Sequence, residues 1–285
     1  MKTFRSLRRL PGCLAIFVVV PHLLTAAPLL RFGTGATADD LHGVVNAFQS
    51  DLGGVNNGVG GGPFTTGFRI ISWDDVPDSL AAPHPFGGDY FNSTSPRGVS
   101  LTTDGSGFQV SAGPGNPDGA LLNFGNIDPS YSGTFQAFSP DRLFTPVGST
   151  VTEVHFFVPS APSTPGLVHG FGVIFSDVDQ SESTSVQFLD AQGNELFSAF
   201  APVRDGGLSF LGVTFDGGEQ VAAVRIFSGN TPLGAGILEG GARDLVVMDN
   251  FFYGEPLAVP EPSLAILLGA GGLGLFAARR FWRKN

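Results

Sequence analysis

Between residues 68 and 253 the chain breaks into ten short apolar runs, bounded by glycine, proline or acidic residues: 68–73, 98–103, 108–112, 151–158, 168–175, 184–190, 195–201, 208–215, 221–228 and 244–253. Several alternate strictly. Val154, Phe156 and Val158 share one face, as do Val186 and Phe188, and as do Leu211, Val213 and Phe215. A period of two sends successive side chains to opposite faces of a strand, so such runs predict sheets and not helices. The 41 glycines and 21 prolines supply the turns, and 191–194 and 216–219 read as hairpin turns in which glycine takes positive φ. Twenty-seven phenylalanines supply the apolar area for a core. The expectation is a mainly β, antiparallel, jelly-roll-like β-sandwich, with the proline-rich interval 116–146 wrapping one edge.

One short helix precedes the strands. Leu41, Val44, Val45, Phe48 and Leu52 recur at helical spacing, Thr37, Asp39 and Asp40 stand at the start, and Gly53-Gly54 follow. Residues 56–62 are too glycine-rich for regular structure.

Charge divides the chain into a body and two ends. Residues 28–261 hold all 25 acids against seven arginines and no lysine, a net of −18, while four cations at each end bring the total to −10. Phosphate would be repelled by such a body, so nucleic acid is not the expected partner. At the N-terminus, Lys2, Arg5, Arg8 and Arg9 precede a mostly apolar stretch, 14–24, and the small residues Thr25-Ala26-Ala27. That is a signal peptide over 1–27, read by the general (Sec) secretion machinery and signal peptidase. The single cysteine, Cys13, lies in this leader, so no disulfide staples the body. At the C-terminus, residues 263–278 carry no charge. Sixteen residues make about 24 Å of helix against a hydrocarbon core of ~30 Å. Arg279, Arg280, Arg283 and Lys284 should hold the cytoplasmic side and place the body outside. The resulting division is 1–27 signal peptide, 28–62 helix and Gly-rich loop, 63–254 β-sandwich ectodomain, 255–262 Pro-rich linker, and 263–285 transmembrane helix with basic tail.

Val259-Pro260-Glu261-Pro262, the apolar span and the basic end together resemble the PEP-CTERM sorting signal of Gram-negative bacteria. The resemblance implies an exosortase that cuts near the motif, with this chain as its substrate. Pro260 and Pro262 lack amide donors and resist helix and sheet, which leaves the motif extended beside the membrane. The body is similar to the ectodomain of a group of PEP-CTERM proteins in segments 47–53, 71–78, 95–99, 107–111, 172–179 and 247–251, which together sample most of 39–254. That group supplies no catalytic residues.

The residues offer little chemistry. No serine-hydrolase elbow occurs, because 207–211 lacks the closing glycine. His42, His84, His155 and His169 fall in no zinc spacing, although His155 and His169 are placed to meet across strands. The sequence GAGGLG at 269–274 matches a dinucleotide fingerprint only literally, since it lies in the membrane segment. Carboxylates remain. Asp74, Asp75 and Asp78 follow the first strand, Asp177 and Asp179 end another, and Asp249 lies in the last. Pairing of first and last strands would bring Asp74 and Asp75 to Asp249 and Asn250, as hard oxygen ligands for a structural Ca²⁺ or as turn-capping aspartates on an acidic surface. Asp177-Val178-Asp179 is not an EF-hand loop, because Glu182 and Phe188 occupy the positions that need Gly and Glu. The expected function is that of an exported cell-surface or exopolysaccharide-matrix protein acting by binding or structure, not an enzyme. The alternatives are a calcium-dependent carbohydrate-binding module, with Trp73, Tyr90, Phe91 and Tyr131 as stacking aromatics, and a secreted hydrolase.

Overall fold

A computed structural model describes residues 27–62, 64–218 and 220–259. In chain order its elements are β1 (Leu29–Gly35), α1 (Ala38–Asp51), β2 (Phe68–Ile71), β3 (Val99–Thr102), β4 (Gly107–Val110), α2 (Tyr131–Thr134), β5 (Phe144–Val147), β6 (Val151–Val158), β7 (Ala161–Leu167), β8 (Gly170–Val178), β9 (Ser185–Leu189), β10 (Glu195–Phe200), β11 (Arg204–Thr214), β12 (Ala223–Phe227), β13 (Val247–Gly254) and β14 (Leu257–Ala258). All ten expected strands form. They build two seven-stranded antiparallel sheets. The first runs β1-β11-β8-β13-β5-β4, with β2 also on β13; the second runs β10-β9-β12-β6-β7-β14, with β3 also on β6.

The two sheets differ in what covers them, and the sequence pattern follows. In β6, β9 and β12 buried and half-buried residues alternate, because only one face meets the core. In β8 and β13 every residue is buried. Their inner face packs Phe171, Val173 and Phe175 against Val186, Phe188, Val224 and Ile226 of the second sheet. Their outer face, with Ile174 and Phe252 beside Phe210 of β11, lies under Leu41, Val45 and Phe48 of α1 and Leu52 just after it. The helix starts where expected: Asp40 Oδ2 accepts the amides of Ala36 and Thr37 at 2.9 and 3.0 Å, which holds its carboxyl below the usual range. Close approach of α1 requires two glycines paired across β8 and β11. A Cβ at Gly172 would lie 2.6 Å from the Phe48 ring, and one at Gly212 2.8 Å from it.

Several expectations need correction. Four strands were not expected: β1, β14, and the proline-bearing β5 and β7. The turn at 216–218 is no hairpin, because it carries the chain from β11 in one sheet to β12 in the other. The interval 116–146 contributes α2 and β5, and packs Phe124, Tyr131, Phe135 and Leu143 against Leu233, Leu245 and Val247. Residues 28–62 are no mere approach to the sandwich, since β1 belongs to its first sheet. Residues 255–258, read as linker, are packed on the body, with Glu255 buried and β14 paired to β7. Among the described residues no helix is long and apolar enough to cross a membrane. The signal peptide, Pro260 to Pro262, and the segment 263–285 with its basic cluster lie outside the described residues.

Candidate functional site

Pairing of β2 with β13 brings Asp74 and Asp249 together, as the sequence suggested. Asp249 is fully buried; its Oδ2 accepts the amides of Phe138 and Ser139 at 2.6 and 3.2 Å, and its Oδ1 the Ser139 hydroxyl at 3.1 Å. That hydroxyl also lies 2.9 Å from Asn250 Oδ1. Asp74 Oδ1 accepts the Arg142 amide at 3.1 Å. Burial pushes the Asp249 carboxyl well above its ordinary range, and the Asp74 carboxyl upward too. Asp75 does not join them. It pairs with Arg97, while Asp78 pairs with Arg142 at 2.5 Å. Two of the three expected ligands therefore converge, with backbone amides and a hydroxyl on the oxygens that face the interior.

A second carboxylate cluster closes around Asp177, Asp179 and Glu239, whose nearest oxygens all lie within 4.8 Å of one another. A bulge creates it. Arg204 pairs with Val178 and Leu208 with Ser176, so three residues of β11 oppose Asp177 alone. Asp177 takes φ 70°, and the Gly206 amide in the bulge donates to its Oδ1 at 2.7 Å. The loop from β12 to β13 returns over the end of β8 and brings Glu239, whose carboxylate accepts the amides of Leu245 and Gly240 at 3.0 and 3.3 Å. Beneath them, buried Asp244 accepts the amides of Asp179 and Gln180 at 3.1 and 3.2 Å. Burial, with repulsion from neighbouring acids, pushes Asp177 and Glu239 up to about 7 each, and Asp179 upward. Asp179 Oδ1 is shut off from solvent and receives no N–H or hydroxyl, while the carboxyls of Asp177 and Glu239 lie within hydrogen-bonding reach of the Asp179 side chain. The sequence singled out Asp177 and Asp179 but not Glu239, which stands alone before Gly240-Gly241 with no local pattern to mark it.

These shifts set a pH dependence. Asp177 and Glu239 titrate from 3.8 and 4.5 in the open chain to about 7 when folded, so the folded state holds their protons more tightly. The stability this provides is complete below about pH 4 and falls as pH rises to about 7. Asp40, Asp128 and Asp190, held low by hydrogen bonds, lose their contribution only below their ordinary value of 3.8. Thermal melts in chelator should therefore drop by several degrees between about pH 4 and 7, and Asp179→Asn should flatten the drop. A melting temperature that climbs across this window would contradict the assignment.

The remaining candidates separate. His155 lies 3.4 Å from Glu153 on β6, whereas His169 lies under Gly254 and lines a cleft of about 370 Å³ with Asp51, Thr66, Thr214 and Asp216. Neither carboxylate cluster borders this cleft. Trp73, Phe91 and Tyr131 are buried and offer no stacking face, and of the four expected aromatics Tyr90 alone keeps part of its ring exposed; the buried rings fill the core because they carry its largest apolar areas.

Comparison with known proteins gives one match that bears on function. The family model of the PEP-CTERM protein-sorting motif matches residues 258–284. A search of curated proteins found no match. Among solved structures, the enzymatically active domain of tailspike protein 4 from bacteriophage CBA120 is similar over 68% of this chain and 23% of that one, at 16% identity and a TM-score of 0.27. The chain thus spans about a quarter of the tailspike's length, and at that score the likeness carries no argument.

Proposed function

We propose that this chain, which ends in a PEP-CTERM protein-sorting motif, is exported as a membrane-anchored precursor, cut by exosortase near Glu261, and left at the cell surface or in the extracellular polysaccharide matrix as a binding or structural β domain. The match over 258–284 carries this reading, because it takes in Pro260-Glu261-Pro262, the uncharged span and the four terminal cations in register. Other observations agree with it. Val259, immediately before the first proline, is 41% exposed, as a protease substrate requires. The strand orders β5-β13-β8-β11 and β6-β12-β9-β10 support a jelly-roll connectivity, a frame used widely for display and binding. Neither the Asp74–Asp249 pair nor the Asp177–Asp179–Glu239 cluster borders the cleft lined by Asp51, His169 and Asp216, and that separation favours binding or structure over hydrolysis. Sec machinery and signal peptidase would handle the other end.

Intact-mass spectrometry of the released protein tests the proposal. The C-terminus should fall near Glu261, and cells lacking exosortase should retain the tail. A released chain ending at Asn285 would refute processing.

A further inference from the structure

We propose that β1 docks a second copy of this chain, whose own β1 pairs with it antiparallel about a two-fold axis at Phe32. The inference is independent of the sorting reading, since it concerns only the folded body.

The backbone carries it first. β11 lies between β1 and β8. The Phe215 amide donates to the His169 carbonyl on the β8 side, and backbone groups alternate sides along a strand, so Leu208, Phe210, Gly212 and Thr214 turn theirs to β1. Their partners there are Gly35, Gly33, Arg31 and Leu29. Leu30, Phe32 and Thr34 therefore point N–H and C=O away from the sheet, and among the described residues none of these groups meets a hydrogen-bond partner.

The other sheet edges are covered or blunted. Segment 55–57 bonds to β2, segment 82–86 to β4, and Gly88 to Leu101 of β3. β14 has only two residues, and β10 is broken by a bulge and begins with Glu195. β1 differs from all of these, with seven residues in unbroken register, no proline and no acid. Its one charge, Arg31, is turned to α1 and held by Asp51 at 2.7 Å. Such an edge is a template for another strand.

The side chains agree. Leu30 packs into the core between the sheets, while Gly33 lies under Val44 of α1, so Phe32 shares the core-facing side with Leu30. Phe32 is nonetheless 60% exposed. A single body leaves this ring uncovered.

Symmetry and charge choose the occupant. Pairing about Phe32 sets Leu30 opposite the partner's Thr34, Phe32 opposite the partner's Phe32, and Arg31 opposite the partner's Gly33. Every outward residue then meets an outward residue, with two backbone bonds per pair, and no like charges stand face to face. The interface is the same patch on both copies, as a closed two-fold dimer requires. The body holds 25 acids against seven arginines, so two copies repel over most of their surface and approach best along a strand without acids.

Sedimentation velocity of the full chain in detergent tests this. A dimer should grow in between about 1 and 100 µM, and more of it should form as salt rises from about 0.05 to 0.5 M and screens the acidic bodies. Phe32→Lys and Thr34→Pro should each weaken the dimer at least about tenfold with little change in melting temperature, because a charge or a proline on an exposed edge disturbs only groups that face water. If Thr34→Pro fails to fold, Phe32→Lys decides alone. Leu238→Ser, at an exposed leucine elsewhere, should leave the dimer intact. In a Cys13→Ser background, Phe32→Cys should oxidise to a cross-linked dimer faster than Leu238→Cys, since hydrogen-bonded antiparallel partners stand about 5.5 Å apart at Cα, within disulfide reach. A chain still monomeric at about 100 µM in high salt would overturn the proposal, as would a dimer that survives the β1 variants, including one held by the C-terminal span. Cross-linking no faster at 32 than at 238 would overturn it too. None of these outcomes depends on where the chain is cut.

Discussion

Arg69→Ala should cost the body about 3–5 kcal/mol of folding stability, read from chemical denaturation, because it leaves a carboxylate buried without its counter-charge. Arg69 and Glu255 are 0% and 1% exposed, and they meet in two parallel bonds of 2.8 Å each. Asn57 Nδ2 adds a third bond to Glu255 at 2.8 Å, while the far side of the guanidinium donates to the carbonyls of Gly58 and Gly60 at 3.0 Å. The glycine-rich loop thus takes its shape from one arginine. Removing the side chain strands Glu255 and two carbonyls together. The pair need not be a net gain over apolar residues of the same size, so Arg69→Met with Glu255→Leu should recover much of the loss. A double variant as unstable as the sum of its parts would show that the loop carbonyls dominate, and a loss below about 1 kcal/mol in Arg69→Ala would show that water reaches the pair.

This clamp also bears on sorting. Glu255 precedes β14, β14 ends at Ala258, and the sorting motif begins at once. The packed body therefore extends, tied by a buried ion pair, to the first residues of the matched motif, and a cut near Glu261 as proposed would leave the clamp and the core on the released side. Breaking it should loosen residues 255–259 before the rest of the domain, which limited proteolysis would detect.

How far the sequence went depends on whether a contact is written locally. Alternation along 151–158 and 184–190 marked strands that formed with one half-exposed face, whereas the alternation of Leu211, Val213 and Phe215 falls in and just after β11, which is buried on both faces from Leu208 to Thr214. The continuous apolar run at 168–175 was legible as a strand, but not as one covered on both faces by a second sheet and a helix. β5 and β7 were passed over because Pro146, Pro162 and Pro165 read as loop; proline survives there because β5 meets β13 at a single pair and β7 leaves β6 through a register shift. The Asp74–Asp249 meeting was legible because the first and last of the strands visible in the sequence, β2 and β13, pair. Glu239 was not, since sixty residues separate it from Asp179 and only the path of the chain between β12 and β13 brings them together. Trp73 was misplaced for a simpler reason: residue type reports the capacity for stacking but not what the ring faces.

Trp73→Ala should destabilise the body by about 3–5 kcal/mol, as large a loss as any single core truncation. Trp73 is wholly buried, stacked on Phe144 at 4.0 Å with planes 4° apart and met edge-on by Phe91, Phe251 and Phe86 at 5.2–6.0 Å. It joins β2, β5 and β13 to the segment around Phe86 and Phe91, so the cavity would open between strands that share few ladder bonds, where collapse is difficult. Trp73 also holds φ at 69°, a conformation that costs a non-glycine residue about 1–3 kcal/mol and persists only when packing imposes it. Alanine would keep that strain and lose the packing. A second variant separates shape from polarity: in Trp73→Phe the ring remains, but the Nε1 bond of 2.9 Å to the Asp249 carbonyl disappears, at a cost of about 1–3 kcal/mol. Because that carbonyl belongs to the residue whose carboxylate fixes Phe138 and Ser139, Trp73→Phe should also raise hydrogen exchange at those two amides. If exchange there is unchanged while stability falls, the tryptophan acts by packing alone and the link from the aromatic core to the Asp74–Asp249 cluster is broken.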